Sequence, residues 1–583
     1  MNTPIHDFVT RYRDLRPARF HMPGHKGRGP LGCEELDLTE IPGADSLYEA
    51  SGIIAESEAN ASRLFGCPTF YSTEGSSHCI RAMLLLAMQR SKAFPLRGRW
   101  HPASPASRMT DEVVYDTPGN ERERIATASV RTGFAMTDTE CFRVLAARNV
   151  HKAFLTAAAL LDLEVCWLPL SEGSYLSAQP TPETLAAALE ETGAQAVYLS
   201  CPDYLGFLPE LKPLAELCHA RGALLLVDNA HGAYLRFLGH SRHPMDLGAD
   251  LCCDSAHKTL PVLTGGAYLH VKGSGIRDQG SGPACRGGHW PPAVPRSDEA
   301  TGNGQQATGD ACRGGHWPPA VPRSDEATGN GQQATGDACR GGHWSPAVPR
   351  SDEATGNGQQ ATGDGGDGFL ASLGMTENET RTVRDALALF GSTSPSYLIL
   401  QSLDLANPWL EGLPEELAAF LPKVEALKSR LRAAGWRVVG DEPLKLTLHT
   451  GDGLALAAAL EQKGIFCEFA DPDFVVFMLS PQNTDRELGR LEAALLNAGS
   501  PAPPADGQWL PLRVLPEAVC TLRQAMLAPA VWIPAAESLG RVLARPCVSC
   551  PPAVPILMPG ERIDRAALAA FRRYGMERVA VLP

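Results

Sequence analysis

Lys258 lies in the run Leu251-Cys-Cys-Asp-Ser-Ala-His-Lys-Thr-Leu-Pro-Val-Leu-Thr-Gly-Gly266. A short apolar stretch leads to Asp254, Ser255 and His257, then the lysine, then a Gly-Gly break. An earlier apolar run, Ala223-Leu-Leu-Leu-Val-Asp-Asn-Ala-His-Gly232, reads as a buried strand ending in Asp228. An acid closing one strand and a lysine following another suit pyridoxal 5'-phosphate (PLP). The lysine forms the Schiff base, and the carboxylate keeps the ring nitrogen protonated.

The neighbouring motifs extend this chemistry. Ser72-Thr-Glu-Gly-Ser-Ser-His78 precedes an apolar helical pattern over Cys79–Met88. A glycine with Ser76 and Ser77 opening a helix makes an anion cup, because the free N–H groups face the ligand. The plainer reading is a serine cap. Arg148-Asn-Val-His-Lys152 follows a short strand, Arg143–Ala146, and places His151 where a ring can lie on the cofactor; otherwise it is a loop histidine. Ala230 is small enough to sit under a ring. His231 is a candidate for the phenolic oxygen or the substrate. Ser255 and His257 are further phosphate donors.

These residues need a scaffold. At 583 residues the chain exceeds one compact domain. Hydrophobic residues at 44% and charged residues at 20% fit a globular protein with a full core. A formal charge of −14 argues against nonspecific nucleic-acid binding and is compatible with cationic substrates. No apolar run is long enough to span a bilayer, and the N-terminus lacks a signal-peptide layout. The 16 scattered cysteines read as reduced thiols, and with them a cytoplasmic location.

Val197–Ser200, Ala223–Asp228 and Asp250–Asp254 read as strands, with a helix over Leu211–Arg221. This alternation implies an α/β fold with a mostly parallel sheet. Helices over Val424–Ala434, Leu454–Lys463 and Asp485–Asn497 alternate with strands over Trp436–Val439, Leu444–His449 and Phe474–Leu479. The expected domains are a large cofactor domain over 1–421, a small α+β domain over 422–500 and a C-terminal domain over 507–583. Two insertions are expected in the first, at 90–140 and 273–378. The second holds three 27-residue repeats over 284–364, identical but for Ser345 in place of proline. Their Gly/Pro/Thr-rich composition predicts disorder. Each carries a Cys-x-x-x-His pair, read as a passenger of duplication rather than a zinc site, so no metal is expected.

Together the motifs resemble the ornithine/lysine/arginine decarboxylase family of fold-type-I PLP enzymes. The resemblance rests on Phe20-His-Met-Pro-Gly-His-Lys-Gly27, Asp37–Leu47, Ser72–His78, Arg148–Lys152, Asp228–Gly232, Asp254–Gly266 and Pro551–Glu561. It implies an aspartate aminotransferase-like large domain, a small α+β domain and a family-type C-terminal domain. It makes Lys258 the Schiff-base lysine and Asp228 the pyridinium partner. His151 stacks on the ring, and Ser76, Ser77, Ser255 and His257 hold the phosphate. His25 and Glu561 fall in motifs expected near the substrate. It further implies a homodimer of the short form, without a wing domain. The expected reaction is decarboxylation of arginine, lysine or ornithine. An aminotransferase or lyase on the same fold, or an impaired homologue, remains the alternative. The cofactor residues alone do not separate these readings.

Overall fold

The computed structural model describes residues 1–91, 141–168, 174–273, 367–499, 515–548 and 551–583. The repeats at 284–364 lie outside these residues, as does the insertion expected at 90–140 apart from its first two positions.

Seven strands form the central sheet: β1 (Thr69–Ser72), β2 (Arg143–Ala146), β3 (Glu164–Trp167), β4 (Ala196–Ser200), β5 (Leu224–Asp228), β6 (Leu251–Asp254) and β7 (Ala267–Val271). Their order is β1-β7-β6-β5-β4-β2-β3. The pairs from β6 to β3 are parallel, and β7 runs antiparallel to both neighbours. The central strands are buried on both faces, which explains their continuous apolar runs. Alternation sends Val197, Leu199, Leu225, Val227 and Cys252 into one core and Tyr198, Leu226, Leu251 and Cys253 into the other. Each fully buried leucine or valine contributes about 1.5–3 kcal/mol. That burial is what holds a polar residue such as Asp228 at the strand end.

The first helices are α1 (Pro4–Asp14), α2 (Ile53–Phe65), α3 (Ser76–Arg90), α4 (Lys152–Leu161), α5 (Pro182–Thr192), α6 (Leu211–Ala220) and the single turn α7 (Ala256–Thr259). Residues of α3 and α4 cover one face of the sheet, and those of α2 and α6 the other. The result is an α/β/α sandwich, as the alternation implied.

Two elements differ from the sequence reading. Residues 367–378 were assigned to an insertion, yet they carry α8 (Asp367–Ser372) and the start of α9 (Glu377–Phe390). Leu370 and Met375 are buried in the core with α3. The helix expected from Val424 begins instead at Tyr397, so α10 (Tyr397–Ala433) runs unbroken through residue 422. Its interior prolines, Pro408, Pro414 and Pro422, each remove a backbone donor. A buried stripe over Leu403, Leu410, Leu417, Val424 and Leu431 offsets that loss.

A four-stranded antiparallel sheet of order β10-β11-β9-β8 follows, from β8 (Arg437–Val439), β9 (Lys445–His449), β10 (Phe469–Ala470) and β11 (Phe474–Met478). With α11 (Gly453–Glu461) and α12 (Asp485–Ala498) it makes the small α+β layer. The C-terminal segment holds α13 (Leu522–Leu527), β12 (Val531–Pro534), α14 (Arg565–Arg573) and β13 (Arg578–Val581), with β12 and β13 paired. Among the described residues no helix is long and apolar enough to cross a membrane, and the described cysteines are unpaired.

Candidate active site

Parallel sheets place binding sites at the carboxyl ends of their strands. Here β4 ends at Ser200, β5 at Asp228, and β6 runs through Ser255 into α7, which carries Lys258. A cleft opens at these ends. Ser76, His151, Asp228, Ala230, His231 and Lys258 line it, so six of the expected residues meet in one place. Asn149, Ser200, Pro202 and Tyr204 line it too, and Pro552 and Val554 of the C-terminal segment form part of its wall.

Asp228 is only 5% exposed. Tyr198 donates its hydroxyl to Asp228 Oδ2 at 3.1 Å, and the Ala230 N–H donates to Oδ1 at 3.2 Å. The Cys253 thiol approaches Oδ1 at 3.7 Å. Burial pushes the carboxyl above its ordinary range, opposed by the Lys258 charge and these donors. A cationic ring nitrogen beside it would restore the ionised form.

Lys258 Nζ lies 3.0 Å from His231 Nε2. His231 Nδ1 lies 2.8 Å from Nζ of Lys445, a residue of β9 that the sequence reading did not single out. Burial, then the Lys445 charge, hold His231 far below the ordinary imidazole range, so it is neutral. His151 caps α4 and accepts the Ala153 N–H through Nδ1 at 3.1 Å. Burial, with Lys258 and Lys152, pushes it down to about 4.

The anion cup has the expected parts. Gly75, with φ of 74°, turns the chain into α3, and its N–H is tied to Gly265 O at 2.7 Å. Ser255 donates to Ser76 Oγ at 2.7 Å, bringing two hydroxyls together beside the first turn of α3. Ser77 is half-buried in the same turn. His257 points Nδ1 at Gly266 O, 3.1 Å away, and does not line the cleft.

His25 and Glu561 also do not line it. His25 bonds Asp37 Oδ2 at 3.2 Å and accepts the Gly27 N–H. Glu561 is spent on Arg148, whose two terminal nitrogens donate to both its oxygens at 2.6 and 2.8 Å. The sequence motifs contained Arg148 and Asn149, but spacing gave no sign of their roles. Among the described residues neither polar atom of the buried Asn149 amide finds a partner. An orphaned amide in a wall that also carries a buried acid, a lysine and a serine cup fits a polar aromatic phosphate ester.

A further buried cluster supports the site from behind. Asp254 Oδ2 lies 3.1 Å from Nε2 of both His243 and His270. Burial alone would raise its carboxyl, yet the two histidines hold it well below the usual range. Asp254 Oδ1 accepts from Asn229 at 2.6 Å. The cluster thus ties the turn after Asp228 to the strand that leads to Lys258.

The sheet order and the lysine–acid cleft define an α/β enzyme of fold type I, the class that PLP-dependent enzymes use. Residues 126–281 match the model of the Orn/Lys/Arg decarboxylase major domain. Over 98% of its length the chain is 22% identical to an arginine decarboxylase of Halalkalibacterium halodurans, spanning 93% of that protein. It is 23% identical to the uncharacterized protein YaaO of Bacillus subtilis, over 98% of this chain and 94% of that one. The fold matches the lysine decarboxylase LdcF of Francisella novicida with a TM-score of 0.63. That match has 14% identity and covers all of this chain and 81% of the other. The chain is thus similar to the Orn/Lys/Arg decarboxylase family over residues 126–281, and at 22% identity to an arginine decarboxylase over nearly its whole length.

Proposed function

We propose that this chain releases carbon dioxide from a basic amino acid (arginine, lysine or ornithine), using PLP held in the cleft. The observation that carries the reading is the convergence of Lys258 and buried Asp228 on one cleft, in a chain whose residues 126–281 match the Orn/Lys/Arg decarboxylase major domain. When bound, PLP would withdraw the electrons left behind as the carboxylate departs.

The protein's part is attachment, orientation and charge. Lys258 Nζ attaches the cofactor. Asp228, held in place by Tyr198 and the Ala230 N–H, would face the ring nitrogen and keep it positive. Ser76, Ser77 and Ser255, with the first N–H groups of α3, would hold the phosphate, with His257 as a further donor from the turn that carries Lys258. His151, kept neutral, would lie against the ring, and Ala230 is small enough to sit under it. Pro552 and Val554 keep water from the reacting bond. After carbon dioxide leaves, Lys258 Nζ or a cleft histidine returns a proton to the α-carbon.

The active form is a cytoplasmic homodimer. Exposed Phe20, Met22 and Leu31, on the segment that carries His25, support this; a second copy would cover them. The domains are those read from the sequence, except that the second insertion ends before residue 367 and α10 runs continuously across the 421/422 boundary.

The test is carbon dioxide release from purified protein with added PLP, offering arginine, lysine and ornithine separately. Release with one of them, and the matching amine by mass spectrometry, supports the reading and names the substrate. Formation of a keto acid without carbon dioxide would replace it with an aminotransferase.

A further inference from the structure

Lys445 is an internal lysine of the small sheet. It is 3% exposed, and its stem packs against Gly206, whose φ of 87° favours glycine and where a Cβ would come within 3.1 Å of Lys445 Cδ. Its ammonium has three hydrogens, and three acceptors surround it. These are Asp203 O at 3.1 Å, Tyr204 O at 3.4 Å and His231 Nδ1 at 2.8 Å. Burial lowers Lys445 to about 8, while Glu442, Asp203 and Glu468 oppose the fall, so it stays charged at neutral pH.

An ammonium has no lone pair, so Lys445 can only donate. His231 Nδ1 must therefore accept, and the proton of the neutral ring sits on Nε2. Nε2–H faces Lys258 Nζ at 3.0 Å. For that contact to be a hydrogen bond, Lys258 must offer a lone pair.

We infer that Lys445 is a positioning residue that fixes His231 as the Nε2–H tautomer, making it a donor that holds Lys258 Nζ as a neutral amine. The inference rests on Lys258 being the amine that attaches the cofactor. A neutral amine is the nucleophilic form, and an ammonium is not. A neutral histidine between two lysines would otherwise accept from either, and half of its tautomers would favour the ammonium of Lys258. The charged and titratable groups around the relay are Lys445, Lys258, His151 and His257 facing His231, with Asp228 facing Lys258. The small layer thus sets the state of a lysine on the large sheet.

The experiment is trace labelling of the full-length chain by acetic anhydride across pH, before PLP is added. Mass spectrometry of the Lys258 peptide gives the pH of half-maximal reactivity. This readout needs neither cofactor nor turnover, so it can succeed or fail independently of the proposed activity. In wild type the midpoint lies below that of a lysine side chain in an unstructured peptide labelled alongside. In Lys445→Met it rises by about one pH unit or more, since a charge is lost and Nε2 is free to accept. Lys445→Arg keeps the charge and the donor, and restores the low midpoint. His231→Leu, which keeps Lys445 but removes the donor that faces Lys258, also raises it. That variant carries the test if Lys445→Met fails to fold. It also separates the relay from a simple effect of the Lys445 charge, under which it would stay low. An unchanged midpoint in His231→Leu overturns the inference.

Discussion

Arg148 and Glu561 are 413 residues apart in sequence, yet they form a two-pronged ion pair at 2.6 and 2.8 Å, each about 4–5% exposed by side chain. Glu561 also accepts the Met558 N–H at 2.8 Å, and the Lys152 N–H donates to Ala553 O at 2.9 Å. The C-terminal segment is thereby fastened to the strand end that carries Asn149 and His151. Pro552 and Val554 are held in the cleft wall by this fastening.

Glu561→Ala leaves a buried guanidinium without its partner. Such losses cost about 3–5 kcal/mol, against 0–1 kcal/mol for an exposed pair. Urea denaturation should show the larger figure for Glu561→Ala and a smaller one for Glu561→Ala combined with Arg148→Met, which removes the stranded charge. Equal losses in the two variants would mean that the pair is not the fastening.

Asp228→Asn keeps an acceptor for Tyr198 but removes the charge that faces the ring nitrogen. The turnover number should fall on the order of 10²–10³-fold, the usual cost of one well-placed electrostatic group. PLP should still attach, visible as its absorbance band. Steady-state kinetics within a few-fold of wild type would remove Asp228 from the site.

His151 gives the folded protein an acid weakness. Its folded value of about 4 lies below the ordinary 6.5. Between these values the unfolded chain binds a proton that the folded chain refuses. Stability therefore rises with pH across the window and is lost as pH falls from 6.5 towards 4. The full loss is on the order of 3 kcal/mol. Thermal melts at pH 7.5 and pH 5 should show a larger drop for wild type than for His151→Phe. His231, which shares the sign, is present in both. Parallel drops would contradict the account.

Deleting residues 284–364 should leave fold and activity intact. Gly273, just past β7, lies against Leu373 and Gly374, which follow α8. The described ends of the chain on either side of the deletion thus return to the same neighbourhood. Loop-closure cost changes slowly with length. Carbon dioxide release and melting temperature of the shortened chain, compared with wild type, check this; loss of either would give the repeats a role.

Much of the site was legible because its chemistry sits in short local motifs. The strands ending at Ser200, Asp228 and Asp254 announce themselves as apolar runs closed by polar residues. What was hidden depends on long-range packing. Three prolines concealed the first half of α10, because helix propensity is read locally while its buried stripe is not. Residues 367–378 were set aside with the repeats, although Leu370 and Met375 are core residues. The strand holding Lys445 was recognised, but its partner His231 is 214 residues away. Nothing in Leu-Lys-Leu-Thr-Leu marks that lysine as more than an interrupted strand. Glu561 sat in a recognisable motif, but its partner Arg148 was visible only in three dimensions.

The central claim is that Lys258 carries PLP in this cleft. Borohydride reduction of the PLP-loaded protein, followed by peptide mass spectrometry, tests it most directly. The account predicts one phosphopyridoxyl group on the peptide containing Lys258, absent from Lys258→Ala. Reduction that labels another lysine instead, or labels Lys258→Ala to the same extent, would contradict it.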